Sequence, residues 1–167
     1  IFKRVEELAH MIEDPLERVN ALTFIAVAQA ERNLIQDAKN TMTSAWRLGW
    51  ANKNLAGYDK VLANIVTGLI AIGDPLSAFD SAARIPEPQE DLKNQRAPDG
   101  SFRAPKFFAL TKVAAASARD REMDIAIRAT RLISNPPARA AALAAVAVAM
   151  VSPDIDLREI VGEGPGW

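Results

Sequence analysis

Glu7 and His10, in the stretch EELAH, stand three residues apart and share one face if the segment is helical. That is the spacing at which a carboxylate and an imidazole ligate one metal of a carboxylate-bridged di-iron pair. A complete centre of that type needs a second such motif and further glutamates. His10 is the only histidine in the chain, so a single subunit cannot supply the other half. Glu6, Glu7, His10 and Glu13 are therefore expected to form a solvated helix face, with no metal bound.

Other routes to catalysis are equally thin. There is no cysteine, and no serine sits in a Gly-x-Ser-x-Gly elbow, so an activated nucleophile lacks either the group or the turn it needs. Glycines occur singly or in the terminal GEGPGW, and neither Gly-x-Gly-x-x-Gly nor a Walker pattern is present to cradle a phosphate. Carboxylate pairs are plentiful, but none is visibly buried by its neighbours, so no general acid is marked out. We expect no catalysis and no cofactor.

Two further features could serve binding. Trp46 and Trp50 lie in AWRLGWANKN, where Trp46 continues the apolar face of its helix and is expected in the core. Trp50 follows Gly49, which reads as a helix stop, and is the better candidate for contact with a partner, packing between helices being its other role. The second feature is charge. Residues 93 to 139 hold ten Lys/Arg against four Asp/Glu, whereas residues 1 to 92 hold nine against 13 and residues 140 to 167 hold one against four. The basic region, which includes Arg119, could attract an acidic protein segment or a phosphate backbone. With a net charge of −1 and few aromatics nearby, nucleic acid is the less expected partner, and an RNA-binding array is the alternative function.

The elements that must carry these residues are helices. The 167 residues are 49% hydrophobic and only 6% aromatic, an alanine- and leucine-rich composition suited to closely packed helices in one domain. Apolar residues recur at helical spacing almost everywhere, and no sustained alternation of period two appears. Helices are expected near 2–13, 15–32, 34–49, 57–72, 75–85, 104–120, 122–134, 136–151 and 153–161. Asp14-Pro15, Asp74-Pro75, Asn135-Pro136 and Ser152-Pro153 each fit a cap followed by a first-turn proline, where a missing amide hydrogen costs nothing. Asp14 with Glu17 also resembles a capping box. Between Ile85 and Pro105, several prolines and Asp99-Gly100 cannot continue a helix, so a long loop is expected near 86–103, either a simple insertion or a functional segment. No apolar stretch is long enough for a membrane span; the longest, Ala140 to Val151, is short and mostly alanine. The first residue is Ile1 and not methionine, so we expect a processed chain or a fragment, and localisation stays open between cytoplasm and export.

The phrase DPLERVNALTFIAVAQA, residues 14 to 30, returns as NPPARAAALAAVAVAMV, residues 135 to 151. Setting Arg18, Tyr58, Lys106 and Arg139 in register aligns Leu22, Leu62, Leu110 and Leu143, then Ile25, Ile65, Val113 and Val146. The intervals of 40, 48 and 33 residues lie in the range of two-helix repeats with insertions. In the first repeat Leu22, Ile25, Ala26, Gln29, Ala38, Met42 and Ala45, and in the third Leu110, Val113, Ala114, Ser117, Ala126, Thr130 and Ile133, keep a spacing that resembles the tetratricopeptide-like helical-hairpin family. Small residues twelve apart, Ala26/Ala38 and Ala114/Ala126, suit a close crossing of paired helices.

That resemblance implies an α-solenoid of about four stacked antiparallel helix pairs in a single domain over 1–167. Its repeats would run near 15–50, 55–86, 104–135 and 136–162, after a partial helix at 1–13. It also implies a noncatalytic interaction module, an adaptor, scaffold or assembly subunit, whose first helices line a groove holding a protein or peptide segment. Carried over by position, the groove residues are Asn20, Thr23 and Val27, then Lys60, Ala63 and Thr67, then Phe108, Thr111 and Ala115, with Trp50 and Arg119 as added partner contacts. In the last repeat the same positions are Ala141, Ala144 and Val148. There the helix is apolar on nearly every face, so Ala140 to Val151 is expected to be deeply buried or covered by another chain.

Overall fold

A computed structural model describes residues 2–91, 93–96 and 103–161, and the side chains of Arg158 and Ile160 lie outside that description. Its described elements are nine helices: α1 (Phe2–His10), α2 (Pro15–Glu31), α3 (Ile35–Ala51), α4 (Tyr58–Ala71), α5 (Pro75–Ala83), α6 (Pro105–Arg119), α7 (Met123–Arg131), α8 (Pro136–Val151) and α9 (Leu157–Val161). No strand occurs among the described residues, so the protein is all-α, and no described helix is long and apolar enough to cross a membrane.

Local chemistry explains where the helices begin. At α2, Asp14 accepts from the amides of Leu16 and Glu17 at 2.8 and 2.9 Å, satisfying two of the donors that a helix start leaves without partners. At α8, Asn135 accepts from the amide of Ala138 at 2.9 Å. The guanidinium of the first-turn arginine then folds back in both copies: Arg18 Nε donates to the Ile12 carbonyl at 2.8 Å, and Arg139 Nε to the Ile133 carbonyl at 2.9 Å. Ser152-Pro153 behaves otherwise than expected. Ser152 ends α8, donating its amide to the Val148 carbonyl, and helix resumes only at Leu157.

The ends of the first helices also share a construction. Asn33, Gly73 and Arg121 all adopt left-handed backbone, with φ of 61°, 75° and 65°. In each case the next amide closes onto a carbonyl five residues back: Leu34 to Gln29 at 2.9 Å, Asp74 to Leu69 at 2.9 Å and Glu122 to Ser117 at 2.7 Å. This is a Schellman-type ending, which turns the chain while satisfying a terminal carbonyl. The three turns occupy one position in the register of the repeated phrase, 40 and then 48 residues apart.

The chain divides into two compact units, Ile1–Asp74 and Pro75–Trp167, and the boundary falls inside the 55–86 repeat drawn from the sequence. In the first unit α2 packs against α3 and both pack against α4, with α1 laid on α2. Val19, Leu22, Ala26, Ala38, Met42 and Ala45 are buried there. Gly49 is not a helix stop: α3 continues to Ala51, and a Cβ at Gly49 would stand 3.1 Å from Ile65 Cδ1, so the glycine permits close approach. Gly68 of α4 is tighter still, its missing Cβ lying 3.0 Å from Thr23 Cγ2 and closer to Met42.

In the second unit α6 is central, touching α5, α7, α8 and α9, and nearly every residue along it is buried. The Pro-rich segment that follows α5 holds no helix over 86–91 and 93–96, while Leu92 and residues 97–102 of the expected loop lie outside the described residues. Glu87 in this segment accepts from Lys106 Nζ at 2.8 Å and from Ser134 Oγ at 3.0 Å, tying the segment to the start of α6 and to the α7–α8 turn.

Candidate functional site

The α8–α9 region forms an open groove of about 370 Å3, lined by Ala141, Ala144, Ala145, Val148, Ile155 and Glu159. Alanines at helical spacing keep its floor shallow and let an incoming backbone approach. Val148 and Ile155 add apolar wall, and among the described residues Glu159 is the one charged side chain that lines it. Ala141, Ala144 and Val148 are the last-repeat groove positions of the sequence reading. Ile155 and Glu159 went unmarked there, because Ile155 precedes its helix and no periodic pattern announces it.

The other positions assigned to a partner surface are distributed as follows. Asn20 and Asn64 join α2 to α4, with Asn64 Nδ2 donating to Asn20 Oδ1 at 3.0 Å. Val27 and Thr67 are half-buried, and Lys60 is exposed. Thr23, Phe108 and Thr111 are buried, as are Ala63 and Ala115, so in this fold they are core positions and not open lining. The two buried threonine hydroxyls bond carbonyls of their own helices, Thr23 to Val19 and Thr111 to Phe107 at 2.9 and 2.8 Å. Phe108 is inside because α6 is enclosed by helices on several sides, which spacing within one helix cannot reveal.

Trp46 is a second correction: it is not core. Trp46 and Trp50 are each 40% exposed on α3, stacked with ring centroids 5.8 Å apart, and the Lys53 ammonium stands 4.3 Å above the Trp50 ring. The solvated face proposed for α1 is also divided. Glu7 pairs with Arg4 at 3.2 Å, but Glu6 turns inward and accepts from Gln29 Nε2 at 2.7 Å and Thr41 Oγ1 at 3.1 Å.

Several basic side chains of the 93–139 region have internal partners. Lys93 pairs with Glu90, Lys106 with Glu87 and Arg119 with Asp120. Lys112 is only 7% exposed and sits 4.8 Å from the Phe108 ring centroid, and Arg128 covers Phe79. Burial disfavours the ionised form of Glu87, yet hydrogen bonds from Lys106 and Ser134 and the nearby charges of Lys106 and Lys93 outweigh it and hold the carboxyl below its ordinary value. No group of three His, Cys, Asp or Glu side chains capable of holding a metal occurs among the described residues.

Comparison with protein-family models, with curated proteins and with solved structures gave no match.

Proposed function

We propose that this chain is a noncatalytic interaction module of the helical-repeat type, and that it docks an apolar segment of a protein partner in the α8–α9 groove. The groove lined by Ala141, Ala144, Val148 and Ile155 carries this reading, because its described lining offers shape and apolar surface with Glu159 as the one charged group. The resemblance to tetratricopeptide-like hairpins supports it, as do the Schellman-type endings that recur at one register position. The sparse charge favours an occupant held by fit, with its backbone close to the alanines.

The test is capture of partners from extract of the native organism, comparing the unaltered chain with Ala144→Arg and Lys60→Glu. Ala144→Arg fills the groove and is expected to remove a bound protein that Lys60→Glu retains. An identical set of captured proteins from all three chains would sink the groove assignment. RNA recovered in their place, with binding that falls steeply as salt rises, would favour the nucleic-acid alternative.

A further inference from the structure

Leu22, Leu62 and Leu110 are 1%, 2% and 0% exposed, whereas Leu143, at the same position of the fourth copy, is 53% exposed. The contrast continues along the register. Ala26, Val66 and Ala114 are buried but Ala147 is exposed, and Gln29, Leu69 and Ser117 are buried where Met150 is 56% exposed. Val151 closes the stripe at 83% exposed. In the first and third copies a full second helix lies against the first, α3 on α2 and α7 on α6; in the fourth, the second helix among the described residues is the five-residue α9. Leu143, Ala147, Met150 and Val151 thus follow the spacing of one helix face and carry no polar side-chain atom. This face adjoins the groove facet at Ala144, but the inference from it rests on the exposure of Leu143, Met150 and Val151 and not on the groove.

The geometry points to a second copy of this chain as the occupant, with α8 packed antiparallel on α8 of the second copy about a two-fold axis near Ala147. Charge selects this arrangement. Arg139 stands exposed at the start of the stripe, and Asp154 and Asp156 stand exposed just beyond its end. An antiparallel pair sets Arg139 of each copy beside those aspartates of the other; a parallel pair sets like charge against like. Shape agrees. About an axis at Ala147, Leu143 lies level with Val151 of the second copy and Met150 level with Ala144, so bulk meets smaller side chains, and the small Ala147 meets itself. Such an interface is isologous and closes at two subunits. Burying one helix face per subunit is a modest interface, so the dimer is expected to dissociate on the order of micromolar concentration.

Sedimentation velocity across a concentration series reads the equilibrium directly. The unaltered chain is expected to shift from monomer to dimer. Leu143→Arg, at an exposed site that leaves the helical circular dichroism intact, is expected to raise the dissociation constant by about tenfold or more. The double variant Asp154→Arg, Asp156→Arg is expected to weaken the dimer as well, and salt to weaken the unaltered dimer. Because the chain has no cysteine, Ala147→Cys places one thiol at the axis. Closely packed helices about 9–10 Å apart, with Cα radii of about 2.3 Å, bring those Cα atoms within disulfide reach. Oxidation should therefore cross-link Ala147→Cys into a covalent dimer far faster than Thr43→Cys on the exposed face of α3. A pure chain that stays monomeric well above micromolar concentration, a dimer indifferent to Leu143→Arg, or equal cross-linking at both cysteine sites would each overturn the proposal.

Discussion

Arg18 Nε donates to the carbonyl of Ile12, six residues earlier, at 2.8 Å, and Arg139 makes the same bond to Ile133 at 2.9 Å. Each carbonyl belongs to the residue two before the helix cap, Asp14 or Asn135. A guanidinium in the first turn therefore staples down the chain entering its own helix. The capped proline start and the staple together account for most of what the repeated phrase shares at its polar end.

The staple can be weighed by substitution. Arg18→Met keeps the aliphatic stem but leaves the Ile12 carbonyl without its charged donor, which should cost roughly 1–2 kcal/mol. Lys39→Met, on the exposed side of α3, should stay within about 0.5 kcal/mol of the unaltered chain. Urea denaturation midpoints compare the two, and equal losses would remove the staple as a stabilising device.

Leu22 and Leu143 offer a matched pair, identical in residue and register but opposite in environment. Leu22→Ala opens a cavity in the core and should destabilise by about 2–5 kcal/mol. Leu143→Ala in dilute solution should change stability by no more than about 0.5 kcal/mol. Thermal or urea unfolding of both variants at low protein concentration checks this, and a large loss at Leu143 would mean that its face is packed within the single chain.

Gly68→Ala should destabilise even though alanine is the better helix former by about 1 kcal/mol. The added Cβ would press on Met42 and lie 3.0 Å from Thr23 Cγ2, and both neighbours are buried. Overpacking of that kind costs typically about 1–3 kcal/mol, enough to reverse the propensity gain. A raised unfolding midpoint for Gly68→Ala would show that α4 shifts freely against α2 and α3.

Glu87 should make part of the stability pH-dependent. Its folded pKa is lowered from an ordinary 4.5, so the unfolded chain takes up its proton first as pH falls. The stabilisation is present in full above the unfolded value and is lost as pH drops through the folded one. Because the carboxyl is about half exposed, solvent screens the effect and it should be small. Glu87→Gln should lower the melting temperature near neutral pH and converge with the unaltered chain in acid; parallel curves at all pH values would contradict the Lys106 and Ser134 linkage.

Much of this was legible in one dimension. Asp14, Pro15, Asn135 and Pro136 announce helix starts because capping involves groups within a few residues of one another. Gly73 and Asn33 are also natural left-handed turn residues, yet Arg121 at the same position is not, and that concealed the recurrence of the turn. Gly49 misled for the opposite reason. Its use is a close contact with Ile65, which no neighbour in sequence reports. The proposed partner surface was legible only as register: the same two helical positions expose Ala141 and Ala144 at least in part, but bury Phe108 and Thr111.

The amino-acid sequence by itself determined an all-helical chain, the starts of α2 and α8, and the shared register of Leu22, Leu62, Leu110 and Leu143, since these follow from local hydrogen bonding and from the helical period. Tertiary structure alone decided that Trp46 stays half exposed, that Lys112 is buried beside Phe108, and that Leu143 lacks the cover given to its three counterparts. Burial is set by which distant helix arrives at a face, and the same leucine in one register can meet different fates when the described covering helix is long in one place and five residues in another.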